Sequence, residues 1–165
     1  MSEKEDPLTD LAVQLGRALS ERGLVLATAE SCTGGWVAEC VTGVAGCSGW
    51  FDRGFVTYSN AAKVEMLGVD ADSLELHGAV SETTVQAMAS GALRFSTAQI
   101  SVAVSGIAGP DGGTDGKPVG TVWFAWQRIG QPGVTRCLHF EGDRQSVRHQ
   151  AVAIALQGLI GLCDD

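Results

Sequence analysis

The chain has 165 residues, the length of one domain, and its 45% hydrophobic and 18% charged residues support a packed core and exclude a disordered polypeptide. Nineteen acidic against eleven basic residues leave a net charge of −8, which argues against sequence-independent nucleic-acid binding, because that binding is driven by neutralising phosphates. The opening MSEKEDPLTD lacks the apolar segment of a signal peptide, and no uncharged apolar run reaches the ~18 residues of a membrane span, so the expected setting is the cytoplasm.

In chain order, Leu8, Leu11, Ala12, Leu15, Ala18 and Leu19 recur at helical spacing behind an Asp6-Pro7 start, and Gly23 ends that helix. Leu24 to Ala29 is a continuous apolar run of the kind a strand buried on both faces shows. Glu30 to Gly35 breaks the pattern, and 36–42 reads as a helix. Residues 54–59 read as a strand and 61–67 as a short helix carrying Lys63. Val85, Met88, Ala89, Ala92 and Leu93 mark a further helix behind Ser81-Glu82. Ile100, Val102 and Val104 belong to a strand ending at Ser105-Gly106, and a long glycine-rich loop follows to Gly120. Residues 121–127 and 134–140 form an antiparallel hairpin, and Val147 to Leu162 a last helix. The order α-β-α-β-α-α-β-β-β-α predicts a single α/β domain over 1–165 with a mixed sheet covered by helices on both faces.

The 22 glycines, about twice the usual share, cluster in loops next to strands, and in such sheets ligands bind beyond the strands' carboxyl ends. The first loop, Ser31-Cys32-Thr33-Gly34-Gly35, sets a serine between a buried strand and a helix start, where N–H groups stabilise an oxyanion. A plain N-cap at Ser31 or Thr33 is the alternative. In the second, Tyr58-Ser59-Asn60, Lys63 follows among Ala62, Val64, Met66 and Leu67. Partial burial lowers a lysine pKa, and a fall of roughly 3 units from ~10.4 makes a base near neutrality; a solvated surface lysine is the alternative. The third runs from Ser105 through Gly106, Ile107, Ala108 and Gly109 to Lys117 and Gly120. It suits an anion but is neither a Walker A loop nor a Rossmann fingerprint. Arg144 and Arg148 share a helix face and either hold a phosphate or are solvated.

Five segments in fixed order, TAESCTGG, GFVTYSNAAKVEMLGV, HGAVSE, SGIAGPDGGTDGKPVGTV and GDRQSVR, resemble the C-terminal domain of the competence/damage-inducible protein CinA from about Leu8 to Leu162. The resemblance implies a three-layer α/β/α sandwich with a mixed β-sheet. It also implies hydrolysis of the carboxamide of nicotinamide mononucleotide (NMN) to nicotinic acid mononucleotide and ammonia, a step in pyridine nucleotide recycling. Ser31 matches the family's nucleophile and Lys63 its proposed general base, a Ser–Lys pair. Tyr58 and Ser105 line the same pocket, and Thr33, Gly34 and Gly35 stand by the nucleophile. Gly106, Ile107, Ala108 and Gly109 face the nucleotide, and Arg144 is the candidate for its phosphate. No metal or cofactor is called for, nor any nucleic-acid or membrane partner, and a homodimer or higher homo-oligomer is implied.

Three positions depart from the family pattern. Ala45-Gly46-Cys47-Ser48 replaces the usual PGSS, Arg53-Gly54 replaces a glycine pair, and Ser105 stands for a threonine while keeping the hydroxyl. Two other functions fit the same loops: a non-catalytic nucleotide-binding or regulatory module, and a thiol hydrolase using Cys32 beside a helix start. The five cysteines, an odd number without a CxxC pair, otherwise read as reduced thiols, and His77, His139 and His149 lack zinc-ligand spacing.

Overall fold

A computed structural model describes residues 4–164. Helix α1 spans Pro7–Arg22, strand β1 Leu26–Glu30, helix α2 Trp36–Thr42, and a 3-10 turn Cys47–Gly49 leads to β2, Phe51–Val56. Helices α3 (Asn60–Leu67), α4 (Ala71–His77) and α5 (Glu82–Arg94) precede β3 (Ile100–Gly106), β4 (Thr121–Arg128), β5 (Val134–His139) and α6 (Arg144–Cys163).

Local chemistry sets the helix ends. The Asp6 carboxylate accepts from the Leu8 N–H at 3.0 Å, Pro7 occupies the first turn, and Gly23 closes α1 at φ 64°, a left-handed conformation in which Cβ is unfavourable. Ser59, Ser81 and Asp143 cap α3, α5 and α6 in the same way, each side chain accepting from the N–H three residues on.

The sheet order is β2-β1-β3-β4-β5, with β1 parallel to both β2 and β3, and β4 and β5 antiparallel. All five residues of β1 are buried, as its continuous apolar run requires. On one face Leu26, Ile100, Val102, Val104 and Phe124 pack under α1, α2 and α6. The other face is built of Ala27, Ala29, Ala103 and Ala125, small enough for α5 to settle on it through Val85, Met88, Ala89 and Ala92. The result is a three-layer α/β/α sandwich.

Two boundaries and one helix differ from the sequence reading. β1 starts two residues later, at Leu26, and runs on to Glu30. β2 occupies 51–56 instead of 54–59, because Ser59 is taken up as the cap of α3 and the chain leaves the ladder after Thr57, whose N–H still reaches the Glu30 carbonyl. Helix α4 was not expected: it anchors one buried apolar residue, Leu74, while Leu76 stays exposed, so it carries little periodic signal. Arg53 reaches away from the strand ends, donating to the Asp52 carboxylate at 2.9 Å and the Phe95 carbonyl at 3.0 Å. Gly54, the retained glycine of that pair, packs where a Cβ would stand 2.7 Å from Thr28 Oγ1.

Candidate active site

The carboxyl ends of β1, β2 and β3 deliver Ser31, Thr57-Tyr58 and Ser105-Gly106 to one place. The ladder continues a residue past β1: Ser31 N–H donates to the Val104 carbonyl at 3.0 Å and Thr57 N–H to the Glu30 carbonyl at 2.8 Å. Ser31 is thereby fixed from β3, and the β2 terminus from Glu30.

Lys63 sits in the first turn of α3 and is 1% exposed. Its ammonium donates to Ser31 Oγ at 2.8 Å, to the Thr57 carbonyl at 2.8 Å and to the Tyr58 carbonyl at 3.0 Å. It enters no ion pair among the described residues, and Glu65, two positions on, is exposed. Burial without a carboxylate pushes the Lys63 pKa down to about 8. The surface-lysine alternative is thereby overturned. Neutral Lys63 keeps two N–H groups for the two carbonyls and turns its lone pair on Ser31 Oγ, the arrangement of a general base beside a hydroxyl.

These groups open onto a cavity of about 210 Å³. Ser31, Cys32, Lys63, Tyr58, Ser105 and Arg144 form its polar wall, and Gly106, Ala108, Ala79 and Val80 the rest. Ala79 and Val80 come from the HGAVSE segment, whose chemistry the sequence left blank. Thr33, Gly34, Gly35, Ile107 and Gly109 stand outside this wall. Thr33 is fully buried, Ile107 continues the hairpin through its N–H to the Thr121 carbonyl at 2.9 Å, and Gly109 offers its carbonyl to Arg144 Nη1 at 2.7 Å. A larger groove of about 420 Å³ between α1 and α2, with Asp6, Glu39 and Cys40 on its walls, holds no such pairing of nucleophile and base.

Neither Ser31 nor Thr33 caps α2. Gly35 holds the cap position at φ 103° with no side chain to offer, and Glu30 does the work from seven residues upstream. Its carboxylate accepts from Val37 N at 2.8 Å, Ala38 N at 3.1 Å and Thr33 Oγ1 at 2.6 Å. Gly34 N–H is engaged with the Ser31 carbonyl at 3.1 Å. Burial raises the Glu30 pKa, against which its hydrogen bonds pull downward.

The two arginines of α6 part company. Arg144 Nη2 stands 3.5 Å from Tyr58 Oη at the cavity mouth. Arg148 turns inward, donating to the carbonyls of Cys32 at 3.1 Å and Thr33 at 3.2 Å, with its guanidinium 5.3 Å above the Trp36 ring. Cys32 is buried beneath the turn, and burial pushes its thiol up to about 11. At neutral pH it holds almost no thiolate, which removes the basis of the thiol-hydrolase reading.

Fold and site together define the class: a three-layer α/β/α sandwich with a buried serine–lysine pair at the carboxyl ends of its parallel strands. The model of the CinA C-terminal domain matches residues 8–163. This chain belongs to the CinA C-terminal domain family. It is 56% identical over 155 residues to the nicotinamide-nucleotide amidohydrolase PncC of Escherichia coli, covering 94% of each chain. Over 157 residues it is 51% identical to the protein of the same name from Pseudomonas putida, covering 95% of this chain and 98% of that one. Among solved structures, the competence/damage inducible protein CihA of Agrobacterium tumefaciens superposes with a TM-score of 0.93 at 43% identity, covering 98% and 99% of the two chains.

Proposed function

We propose that this protein is an amidohydrolase that cleaves the carboxamide of NMN, giving nicotinic acid mononucleotide and ammonia, through Ser31 and Lys63. The observation that carries the reading is the 2.8 Å contact between Lys63 Nζ and Ser31 Oγ, made by a lysine without a carboxylate partner. Similarity to proteins named nicotinamide-nucleotide amidohydrolases supplies the substrate.

In this mechanism neutral Lys63 accepts the Ser31 proton as Oγ attacks the carboxamide carbon. The resulting oxyanion takes hydrogen bonds from the N–H groups of Cys32 and Thr33, which follow the nucleophile in the turn. Lys63 passes its proton to the departing nitrogen, ammonia leaves, and an ester on Ser31 remains. Water, deprotonated by Lys63, then releases the carboxylate product and regenerates the serine. The cavity is smaller than the ~300–1,000 Å³ of sites that enclose a whole ligand, so it takes the pyridine ring and leaves the ribose phosphate at the mouth. There Tyr58 and Arg144 receive it, with the Gly106–Gly109 segment along one side and the Ser105 hydroxyl facing the ring. The product returns to pyridine nucleotide recycling, and the protein acts in the cytoplasm as a homodimer or larger homo-oligomer.

The test is ammonia release from purified protein with NMN, beside Ser31→Ala and a free-nicotinamide control. The expected result is release from NMN alone and none from the variant. No release, together with a rise in melting temperature on adding NMN, would mark a binding module instead.

A further inference from the structure

We propose that Glu30 is a positioning residue that sets Ser31 against Lys63; the proposal rests on the reading of those two as the reacting pair. Glu30 precedes the serine directly, is 1% exposed, and joins both halves of the pair. Through its carbonyl it holds Thr57 N–H at 2.8 Å, and the Thr57 carbonyl in turn holds Lys63 Nζ at 2.8 Å. Through its carboxylate it ties Thr33, two residues past Ser31, to the first turn of α2. Glu30 thus fastens the turn that carries Ser31 through its side chain and the β2 terminus that holds Lys63 through its main chain.

A helix start needs no buried charge: a serine or aspartate at the cap position serves at the surface. Here the cap position is Gly35, and a carboxylate is buried without a cationic partner among the described ion pairs. Burying such a group is unfavourable unless every lone pair is met. Its partners are all donors: Thr33 Oγ1 and Val37 N on Oε1, Ala38 N on Oε2. A carboxylate accepts on both oxygens without an O–H that must find its own acceptor. Glutamine, the nearest isostere, would turn an NH₂ toward one of these N–H or O–H groups whichever way it is placed. The turn would shift, and a misplacement of about 1 Å in a reacting group costs on the order of 10²-fold in rate.

The experiment compares Glu30→Gln with the wild type in NMN hydrolysis and in the rate at which a fluorophosphonate probe labels Ser31, read by intact mass. The expected result is a kcat lower by about 10²-fold with KM within about twofold, and labelling slowed by a similar factor. Thr33→Val removes one donor and keeps the branched shape; it should lower both rates in the same direction, and Thr33→Ser, which keeps the hydroxyl, should restore them. Glu30→Gln and Thr33→Val with wild-type kcat and labelling rate would overturn the proposal. So would a loss seen only in KM and melting temperature, since that marks a merely structural cap. If the wild type leaves NMN intact while Ser31 labels at a rate that depends on Glu30, the substrate reading fails and the positioning role stands. A wild-type Ser31 that resists the probe overturns both.

Discussion

The Lys63 ammonium stands 2.8 Å from the Ser31 hydroxyl, and its other two partners are main-chain carbonyls, those of Thr57 and Tyr58. A carboxylate in either place would favour the charged form and raise the pKa; a carbonyl holds the amine in position with no full negative charge. Burial therefore acts almost unopposed and brings the lysine to about 8. The base must be neutral to accept the serine proton, so activity is lost as pH falls through that value. About one molecule in eleven is competent at pH 7 and about ten in eleven at pH 9. The expected kcat profile rises about tenfold between those pH values and falls tenfold per unit below 7. Ammonia release measured from pH 6 to 10 checks it, and a flat profile from 7 to 9 would remove Lys63 from the base role. Lys63→Arg should lose at least about 10²-fold, because guanidinium keeps the charge and does not give up its proton.

Ser31 and Cys32 are neighbours with opposite expectations. Ser31→Ala should abolish turnover with an unchanged circular dichroism spectrum. Cys32→Ala should keep kcat within about threefold, since a buried thiol with a pKa of about 11 is nearly all protonated and inert. The same difference should leave Cys32 unalkylated by iodoacetamide in the native state, as mass mapping of the treated protein would show. Rapid inactivation by that reagent, absent in Cys32→Ala, would restore the thiol mechanism.

What the sequence revealed and what it hid divide along local and non-local lines. A strand-to-turn break and a lysine among apolar neighbours singled out Ser31 and Lys63 but left a plain cap and a surface lysine open, and only the resemblance to the CinA C-terminal domain implied their roles. Glu30 was read only as the residue at which the apolar run stops. Its work, accepting from N–H groups seven and eight residues on, depends on a fold that no short window contains. The absence of a capping side chain at Gly35 was the available hint. Arg144 and Arg148, four apart, were read as sharing a face that either holds a phosphate or is solvated, yet Arg148 bends inward to the carbonyls of Cys32 and Thr33. Spacing gives the face of a helix, and the neighbour decides which guanidinium it captures.

Arg144 is the arginine left at the mouth, and its prediction separates binding from chemistry. A hydrogen bond to a charged group contributes about 1.5–3 kcal/mol, or roughly 10- to 100-fold in affinity. Arg144→Ala should raise KM for NMN by that factor and leave kcat within a few-fold. Nicotinamide riboside, which lacks the phosphate, should be a poor substrate for the wild type and no poorer for the variant. Equal losses on the two substrates would take the phosphate away from Arg144 and make it a support for Gly109.

Far from the site, Gly158 tests the packing of α6 on the sheet. A Cβ there would collide with the indole of Trp126, whose Nε1 donates to the Ala155 carbonyl at 3.0 Å one turn earlier in α6. Two effects oppose each other in Gly158→Ala. Helix propensity favours alanine by about 1 kcal/mol, whereas overpacking a core costs typically 1–3 kcal/mol and a lost hydrogen bond about 1 more. Trp126 is 4% exposed and stacked on Phe124 with ring centroids 5.5 Å apart, so moving the indole gives up that stack as well as its hydrogen bond, and the steric cost should prevail. Urea unfolding is expected to show a net destabilisation of about 1–3 kcal/mol, with a shift in tryptophan fluorescence of the native state. A neutral or stabilising Gly158→Ala would mean that α6 slides on the sheet and that its contact with Trp126 does not fix the register of that layer.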